Sequence, residues 1–249
     1  MVESPWFAYH RPNETAVLRL FCLPHAGGGA GAYRTWVDEL APEIEVLPVQ
    51  LPGRETRFLE RPYESIESLL DALVEEIRPL LNKPFAFFGH SLGALVGFEL
   101  ARRLRNEGCF PERIFVSGYG APHLPVKLPP MHHLDDVAFA NALRELDTVP
   151  TAVLDNDELF ALLLPMLRAD FSVYEQYQFL QDVPLACPIT MLGGEADPLV
   201  PSENLAAWSA HTTQPGGMHL FSGDHFYLQG EETAVLQLIR QTCLVQQPS

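Results

Sequence analysis

The sequence has no long uninterrupted apolar segment. Its longest apolar run, residues 159–167, is short and contains Pro165, whereas a membrane-spanning helix needs about 20 apolar residues. Residues 1–6 also lack the basic flank and the apolar core of a secretory signal peptide. We therefore expect a cytoplasmic protein with no membrane segment.

The sequence also lacks the cysteine spacing of a metal site or a disulfide framework. Its four cysteines lie far apart and form no Cys-x-x-Cys pair: Cys22, Cys109, Cys187 and Cys243. A chain of 249 residues can bury a core large enough to be stable without disulfides. We expect buried free thiols and no bound metal.

Basic residues are scarce. The chain has 16 Lys and Arg against 32 Asp and Glu, which gives a formal net charge of −16. A strongly acidic protein is repelled by nucleic acids and by anionic membranes, so neither is expected as a partner. The net charge is −4 over residues 1–120, −7 over 121–182 and −5 over 183–249. Any electropositive docking site is therefore expected in the first half.

Apolar runs alternate with amphipathic segments along most of the chain. This alternation predicts an α/β fold: a mostly parallel central sheet with helices on both faces, in one domain over residues 1–249. The predicted strands are 17–23, 44–49, 85–88, 113–117, 189–192 and 218–221. The predicted helices that cover them are 32–40, 65–81, 92–106, 203–209 and 233–243.

The alternation stops between residues 121 and 182, where no strand is predicted. This segment contains prolines and three predicted helices, at residues 134–146, 158–167 and 170–179. A helical insertion between two strands of a parallel sheet is typical of a lid over an active site. We therefore expect residues 121–182 to be a helical lid insertion within the domain.

Gly89-His90-Ser91-Leu92-Gly93 matches the pattern Gly-x-Ser-x-Gly. It follows an apolar predicted strand and begins a predicted helix, which is the context of the nucleophile turn in the α/β-hydrolase fold. The nucleophile lies on a tight turn there, so its neighbours two positions away must be small. Ser91 is therefore the predicted nucleophile.

A serine nucleophile needs a histidine base and an acid that orients it, and this fold places them in the order Ser, Asp or Glu, His. His225 follows the last predicted strand and is the preferred base, with His25 as the main competitor. Asp197 follows the strand before it and is the preferred acid, with Glu195 as the alternative. The predicted triad is Ser91, Asp197 and His225.

An oxyanion hole needs two main-chain N–H groups directed at the developing negative charge. Leu92, directly after the nucleophile, is expected to supply one. The glycine-rich loop after the first strand is expected to supply the other, because glycines allow the backbone to approach the acyl group. Ala26 is the preferred donor in this loop and Gly27 is the alternative.

Six segments together resemble the stand-alone type II thioesterases that accompany polyketide synthases and nonribosomal peptide synthetases. They are Pro24-His25-Ala26-Gly27-Gly28, Leu51-Pro52-Gly53-Arg54, Gly89-His90-Ser91-Leu92-Gly93, Leu167-Arg168-Ala169-Asp170-Phe171, Gly194-Glu195-Ala196-Asp197 and Gly223-Asp224-His225-Phe226. The resemblance covers nearly the whole chain. It implies hydrolysis of acyl groups stranded on the phosphopantetheine arm of acyl or peptidyl carrier domains, an editing role that needs no cofactor.

The resemblance also implies the triad Ser91, Asp197 and His225 and the oxyanion donors Ala26 and Leu92. Arg54 and Asp170 match the family's motifs without an evident role. Arg54 is expected either to contact the phosphate of the arm or to form an ion pair that fixes a loop.

Three rival functions share these residues. A general carboxylesterase or lipase would have the same triad, and an acyltransferase would replace water with an alcohol or amine. A binding protein on the same scaffold would normally lack one triad member, whereas all three are present here.

Overall fold

We describe a computed structural model of the chain over residues 4–125 and 129–244. Residues 1–3, 126–128 and 245–249, which the single-domain prediction includes, lie outside the described residues; 126–128 also fall in the predicted lid. The described part contains six parallel strands in one sheet, in the spatial order β2-β1-β3-β4-β5-β6. The strands are β1 (Leu18–Leu23), β2 (Ile44–Pro48), β3 (Phe85–His90), β4 (Arg113–Ser117), β5 (Ile189–Gly194) and β6 (Pro215–Phe221).

Eight α-helices accompany the sheet in the described residues. They are α1 (Trp36–Glu39), α2 (Ile66–Ile77), α3 (Leu92–Asn106), α4 (Asp136–Leu146), α5 (Thr151–Leu154), α6 (Asp157–Gln176), α7 (Ser202–Ala206) and α8 (Leu228–Leu244). The predicted α/β fold is confirmed, and none of these helices is long and apolar enough to cross a membrane.

Two apolar layers cover the two faces of the sheet. One layer joins α2, α3 and α7 to strand residues such as Phe21 and Phe87, and the other joins α1 and α8 to Leu20 and Phe88. Alternate residues of one strand thus point to opposite layers, as the pleat requires. The four cysteines are free thiols; Cys22 and Cys187 are buried, as expected, whereas Cys109 and Cys243 are half-buried. Burial raises the pKa of Cys22.

The segment between β4 and β5 is helical, as predicted, and has an apolar core of its own. Phe139 and Leu143 of α4 pack there with Leu154 of α5 and Phe160 and Phe171 of α6. We call residues 121–182 the insertion. Its small core lets it keep a defined shape while it rests on the sheet.

Two of the predicted helices are wrong. Residues 158–167 and 170–179 are not separate helices, because α6 runs from Asp157 to Gln176 without a break at residues 168 and 169. A proline inside a helix costs about 3 kcal/mol, but Phe160 before Pro165 and Met166, Leu167 and Phe171 after it are buried. Their burial outweighs the lost hydrogen bond.

The predicted helix at 32–40 is also wrong in extent. A short 3-10 turn, Ala30–Tyr33, precedes a single turn of α-helix, Trp36–Glu39. The main-chain N–H of Gly31, at the start of this turn, donates to the carboxylate of Glu55 at 3.1 Å.

The strand order reverses between β1 and β3. β2 lies on one side of β1, whereas β3 to β6 follow in sequence on the other side. In open parallel sheets such a reversal opens a crevice at the carboxyl ends of the strands, where ligands bind. The loop after β1 and the turn after β3 flank this crevice.

Candidate active site

Ser91 occupies a strained turn between β3 and α3. Its backbone has φ 52° and ψ −119°, a conformation that costs an L-residue energy and is typical of functional sites. Its main-chain N–H donates to the carbonyl of Ser117 at the end of β4, at 2.7 Å. The turn thus presents the Ser91 side chain at the carboxyl edge of the sheet.

The two glycines around Ser91 are required by close main-chain approaches. A Cβ on Gly89 would lie 2.1 Å from the carbonyl oxygen of Gly93, and a Cβ on Gly93 would lie 2.2 Å from that of Leu23. Neither contact involves a side chain that could move away. The spacing of the motif is therefore a consequence of how tightly α3 packs against β1 and β3.

His225 and Asp197 meet at the ends of two neighbouring strands. Nδ1 of His225 is hydrogen-bonded to Oδ2 of Asp197 at 2.8 Å, and both residues are buried. The other oxygen of Asp197 accepts the N–H groups of Leu199 and Val200 at 2.8 and 3.2 Å. A histidine held at Nδ1 keeps Nε2 available for a nucleophile. Glu195, the alternative acid, is exposed.

The two loops that hold this pair also approach each other through their main chains. A Cβ on Gly194 would lie 2.1 Å from the carbonyl oxygen of Asp224. The absence of a side chain on Gly194 therefore allows the end of β5 to come close to the loop after β6. This contact brings Asp197 within reach of His225.

A cavity of about 520 Å³ joins the predicted site residues. Ser91, Leu92, His225 and Ala26 all line it. The remaining wall comes largely from aromatic residues of the insertion and of the loop after β4, including Tyr119, Phe171, Tyr174, Tyr177 and Phe179. The predicted nucleophile, base and both oxyanion donors therefore share one enclosed space.

The main-chain N–H groups at this cavity are unequally available. Leu92 is the first residue of α3, and the first N–H groups of a helix have no acceptor within it. In the loop after β1, the N–H of Gly27 donates to Asp170 at 2.7 Å. Gly27 is thus already engaged, and the geometry favours Ala26 as the second donor.

His25, the competing base, lies against aromatic rings rather than a carboxylate. Its ring stands edge-on to Phe226 at 5.2 Å and to His90 at 5.9 Å between centroids. Burial, together with the nearby His225, lowers the pKa of His25 to about 4. A neutral imidazole packed among rings is better suited to line the cavity than to act as the base, because a base must be oriented by an acid.

A buried polar network beneath the site was missed by sequence reasoning. Nδ1 of His90 is hydrogen-bonded to Oγ of Ser117 at 2.8 Å, and this Oγ is hydrogen-bonded to the hydroxyl of Tyr227 at 2.6 Å. The ring of His90 lies 5.1 Å from that of His225. Burial lowers the pKa of His90 well below its usual value, so the imidazole beneath His225 stays neutral.

Arg54 and Asp170 form a buried bidentate ion pair. Nη1 and Nη2 of Arg54 donate to the two oxygens of Asp170 at 2.7 and 2.8 Å, and Nη1 also donates to the carbonyl of Gly28 at 3.0 Å. Arg54 is only 4% exposed. The structure therefore favours the ion-pair interpretation of Arg54 over contact with a substrate phosphate.

Comparison with known proteins agrees with this fold and site. A family model described as a thioesterase domain matches residues 18–243. The chain is 45% identical to a protein named linear gramicidin dehydrogenase LgrE, from Brevibacillus parabrevis, over 96% of this chain and 92% of that one. It is 42% identical to thioesterase PikA5 of Streptomyces venezuelae, over 91% of this chain and 81% of that one.

A solved structure gives the same result. The type II thioesterase BorB from the borrelidin biosynthetic cluster matches with a TM-score of 0.88 and 38% identity, over 97% of this chain and 98% of that one. The similarity thus extends over the sheet, the insertion and the loops that hold the cavity. The resemblance seen in the sequence is confirmed, and the chain belongs to the thioesterase family.

Proposed function

We propose that this protein hydrolyses acyl thioesters on the phosphopantetheine arm of acyl or peptidyl carrier domains, and so removes aberrant or stalled acyl groups during polyketide or nonribosomal peptide synthesis. The observation that supports it best is the shared cavity of Ser91, His225 and Leu92, with Asp197 bound to His225. The match to a thioesterase model and to the type II thioesterase BorB points to the same chemistry.

The proposed reaction has two steps. In the first, Nε2 of His225 takes the hydroxyl proton of Ser91, and Oγ of Ser91 attacks the thioester carbonyl carbon. The N–H groups of Ala26 and Leu92 stabilise the oxyanion. The carbon–sulfur bond then breaks, and the proton passes from His225 to the sulfur, which leaves as a thiol.

In the second step, water hydrolyses the acyl-enzyme. His225 takes a proton from the water, the hydroxide attacks the acyl carbon, and the bond between that carbon and Oγ of Ser91 breaks. The proton returns to Ser91 and the carboxylic acid leaves. Asp197 orients the imidazole and stabilises its charged form throughout.

The insertion is proposed to act as the lid of this site. Phe171 and Tyr174 of α6 line the cavity, so the acyl group would lie between the sheet edge and the insertion. A wall made mostly of aromatic and apolar side chains excludes water and binds an acyl chain through its apolar surface.

A dinucleotide-dependent dehydrogenase is a second candidate, because of the name of LgrE. Gly27, Gly29 and Ala32 have the spacing of a Gly-x-Gly-x-x-Ala fingerprint, whose N–H groups bind a pyrophosphate. Here those groups face protein carboxylates, because Gly27 donates to Asp170 and Gly31 donates to Glu55. The N–H groups of Gly27 and Gly31 are therefore already engaged and are not available to a pyrophosphate. The observed contacts therefore favour the thioesterase.

Carrier domains loaded with different acyl groups provide the test. The protein is incubated with each loaded carrier and with the same acyl group on a free small thiol, and deacylation is followed by mass spectrometry. We expect higher kcat/KM on the carrier, because contacts to the carrier add to transition-state binding. The Ser91→Ala variant is the control for chemical hydrolysis.

Other outcomes would identify the rivals. Equal efficiency on carrier-bound and free thioesters would reduce the function to general acyl-thioester hydrolysis. Faster turnover of long-chain oxygen esters would indicate a lipase, and formation of new esters or amides with added alcohols or amines would indicate an acyltransferase.

A further inference from the structure

The loop after β1 is attached to the insertion by the Arg54–Asp170 pair. We call residues 24–29 the oxyanion loop. We propose that Arg54 and Asp170 are positioning residues, which hold the N–H of Ala26 in place by fixing the next two residues of this loop. The inference rests on the proposed function, in which Ala26 stabilises the oxyanion.

The pair holds the oxyanion loop by its main chain. Oδ2 of Asp170 accepts the N–H of Gly27 at 2.7 Å, while Nη1 of Arg54 donates to the carbonyl of Gly28 at 3.0 Å. The N–H of Gly27 belongs to the peptide plane that follows Ala26. Fixing this plane limits the rotation of Ala26, and therefore the direction of its own N–H.

Packing places the same constraint on the loop. Gly27 has φ 79°, and a Cβ there would lie 2.9 Å from Cδ2 of Leu167. Ala26 packs against the apolar core of the insertion. Leu167 and Asp170 lie one turn apart on α6, so the same helix face contacts the oxyanion loop through both apolar and polar groups.

Stability alone does not explain a buried ion pair at this position. Well-packed apolar side chains of similar volume are often as stable as a buried pair, because the charges must be desolvated. Apolar side chains, however, cannot accept the N–H of Gly27. What the pair supplies is a directional acceptor, and its bidentate geometry holds that acceptor still.

The position of the pair also predicts which kinetic constant it controls. The oxyanion exists only after the nucleophile has attacked, so a displaced Ala26 N–H weakens the transition state more than substrate binding. Loss of the pair should therefore lower kcat with little change in KM.

Two double variants separate the acceptor from the charges. Arg54→Met with Asp170→Asn removes both charges but keeps an amide oxygen for Gly27, whereas Arg54→Met with Asp170→Leu removes the acceptor as well. Neither strands a buried charge. We expect the Leu variant to have a kcat on the order of 10- to 100-fold below that of the Asn variant, as for a small misplacement of a catalytic group. If the Leu variant fails to fold, Asp170→Ala with Arg54→Met replaces it.

Ser172→Ala is the matched control. Ser172 lies on the same helix and its hydroxyl donates to the carbonyl of Glu64 at 3.0 Å, so it attaches α6 to the rest of the protein without touching the oxyanion loop. We expect kcat of this variant to stay within about twofold of wild type.

An inhibitor pair reports on the oxyanion directly. Octylthio-trifluoropropanone forms a hemiketal with the nucleophile, whose oxyanion needs the N–H donors, whereas the corresponding alcohol binds without reacting. We expect the Leu variant to lose affinity for the ketone by the same factor as kcat and to bind the alcohol as wild type does. A general structural disturbance would weaken both ligands.

The outcomes distinguish this inference from the proposed function. Equal kcat in the Asn and Leu variants, or parallel loss of ketone and alcohol binding, would overturn the positioning role. If instead wild type binds the ketone no better than Ser91→Ala does, the serine mechanism itself fails.

Discussion

The carboxyl edge of the sheet and the insertion contribute to the same cavity but are held in different ways. At the sheet edge, Gly93 meets the carbonyl of Leu23 and Gly194 meets that of Asp224, at separations that leave no room for a Cβ. Helix α6 of the insertion meets the layer on the sheet through apolar side chains, such as Val173 and Tyr174. Main-chain contacts cannot be rearranged by changing a rotamer, whereas side-chain contacts can. We therefore expect the sheet edge to be rigid and the insertion to be the adjustable wall.

The largest expected effect comes from the sheet edge. Ser91→Ala and His225→Ala should each lower kcat by about 10⁶-fold, because triad members act as a unit. Asp197→Asn should cost less, on the order of 10⁴-fold. Release of free thiol from a loaded carrier measures the rates, and circular dichroism checks the fold.

The exposed Ser209 provides the control, since Ser209→Ala should leave kcat unchanged. Substantial hydrolysis by Ser91→Ala would contradict the serine mechanism. A harmless Asp197→Asn would shift the role of the acid to Glu195.

Gly93→Ala and Gly27→Ala compare a steric clash with the main chain and a steric clash with a side chain. Gly93→Ala should lower the free energy of unfolding by more than about 3 kcal/mol, because its Cβ meets a carbonyl. In Gly27→Ala the new Cβ would contact the Leu167 side chain, which can move, and the alanine would have to keep φ 79°. We therefore expect this substitution to lower the free energy of unfolding by about 1–2 kcal/mol. Urea unfolding measures both.

Gly230→Ala is the control, since nothing lies within 4 Å of its Cβ position. If Gly27→Ala proved as damaging as Gly93→Ala, the distinction between rigid and adjustable contacts would be wrong.

A pair of leucine truncations compares the two cores. Leu73 of α2 and Leu143 of α4 are both fully buried, one under the sheet and the other inside the insertion. Leu73→Ala should lower global stability by about 2–5 kcal/mol. Leu143→Ala should mainly speed hydrogen exchange in α4 to α6, because a small separate core can open by itself. Uniformly faster exchange in both variants would show that the two cores unfold together.

A pH dependence of stability is also expected to arise at the sheet edge. Burial lowers the pKa of His25 to about 4, so below pH 6.5 the unfolded chain binds a proton that the folded chain does not. Stability from this residue is fully present above pH 6.5 and is lost as pH falls towards 4, by on the order of 3 kcal/mol. In His25→Gln the midpoint of urea unfolding should change less between pH 7 and 5 than in wild type. His133→Gln, at an exposed position, should leave this pH dependence as in wild type. An unchanged slope in His25→Gln would contradict this assignment.

Local patterns predicted most of the fold and most of the candidate site. Buried strands appear in the sequence as apolar runs that are followed by glycine-rich turns. Strand β3 and the turn at Ser91 could therefore be located from a few adjacent residues. His225 and Asp197 could be selected because the hydrolase fold puts them after consecutive strands. Helix α6 could not be predicted as one helix, because the break expected between residues 167 and 170 falls where Leu167 and Asp170 are buried against distant parts of the chain.

Contacts between distant residues could not be predicted in the same way. Ser117 and Tyr227 are 110 positions apart, and both carry hydroxyls of a common kind, so nothing in the chain marks them as partners of His90. Arg54 and Asp170 lie in segments that match motifs of the resembled family, but their ion pair spans 116 positions. Its link to Gly27 depends on how the insertion folds back over the sheet.

The sequence alone therefore predicted the fold class, the serine and the strand ends that carry its partners, because these predictions depend on residue type and short spacing. Tertiary structure decided the availability of each group. The Gly27 N–H is engaged by Asp170, the Arg54 guanidinium is buried in its ion pair with Asp170, and His25 is packed among rings. Whether a polar group is available to a substrate depends on which atoms lie within about 3 Å of it. For the Gly27 N–H and the Arg54 guanidinium, those atoms belong to Asp170, which is remote in the sequence.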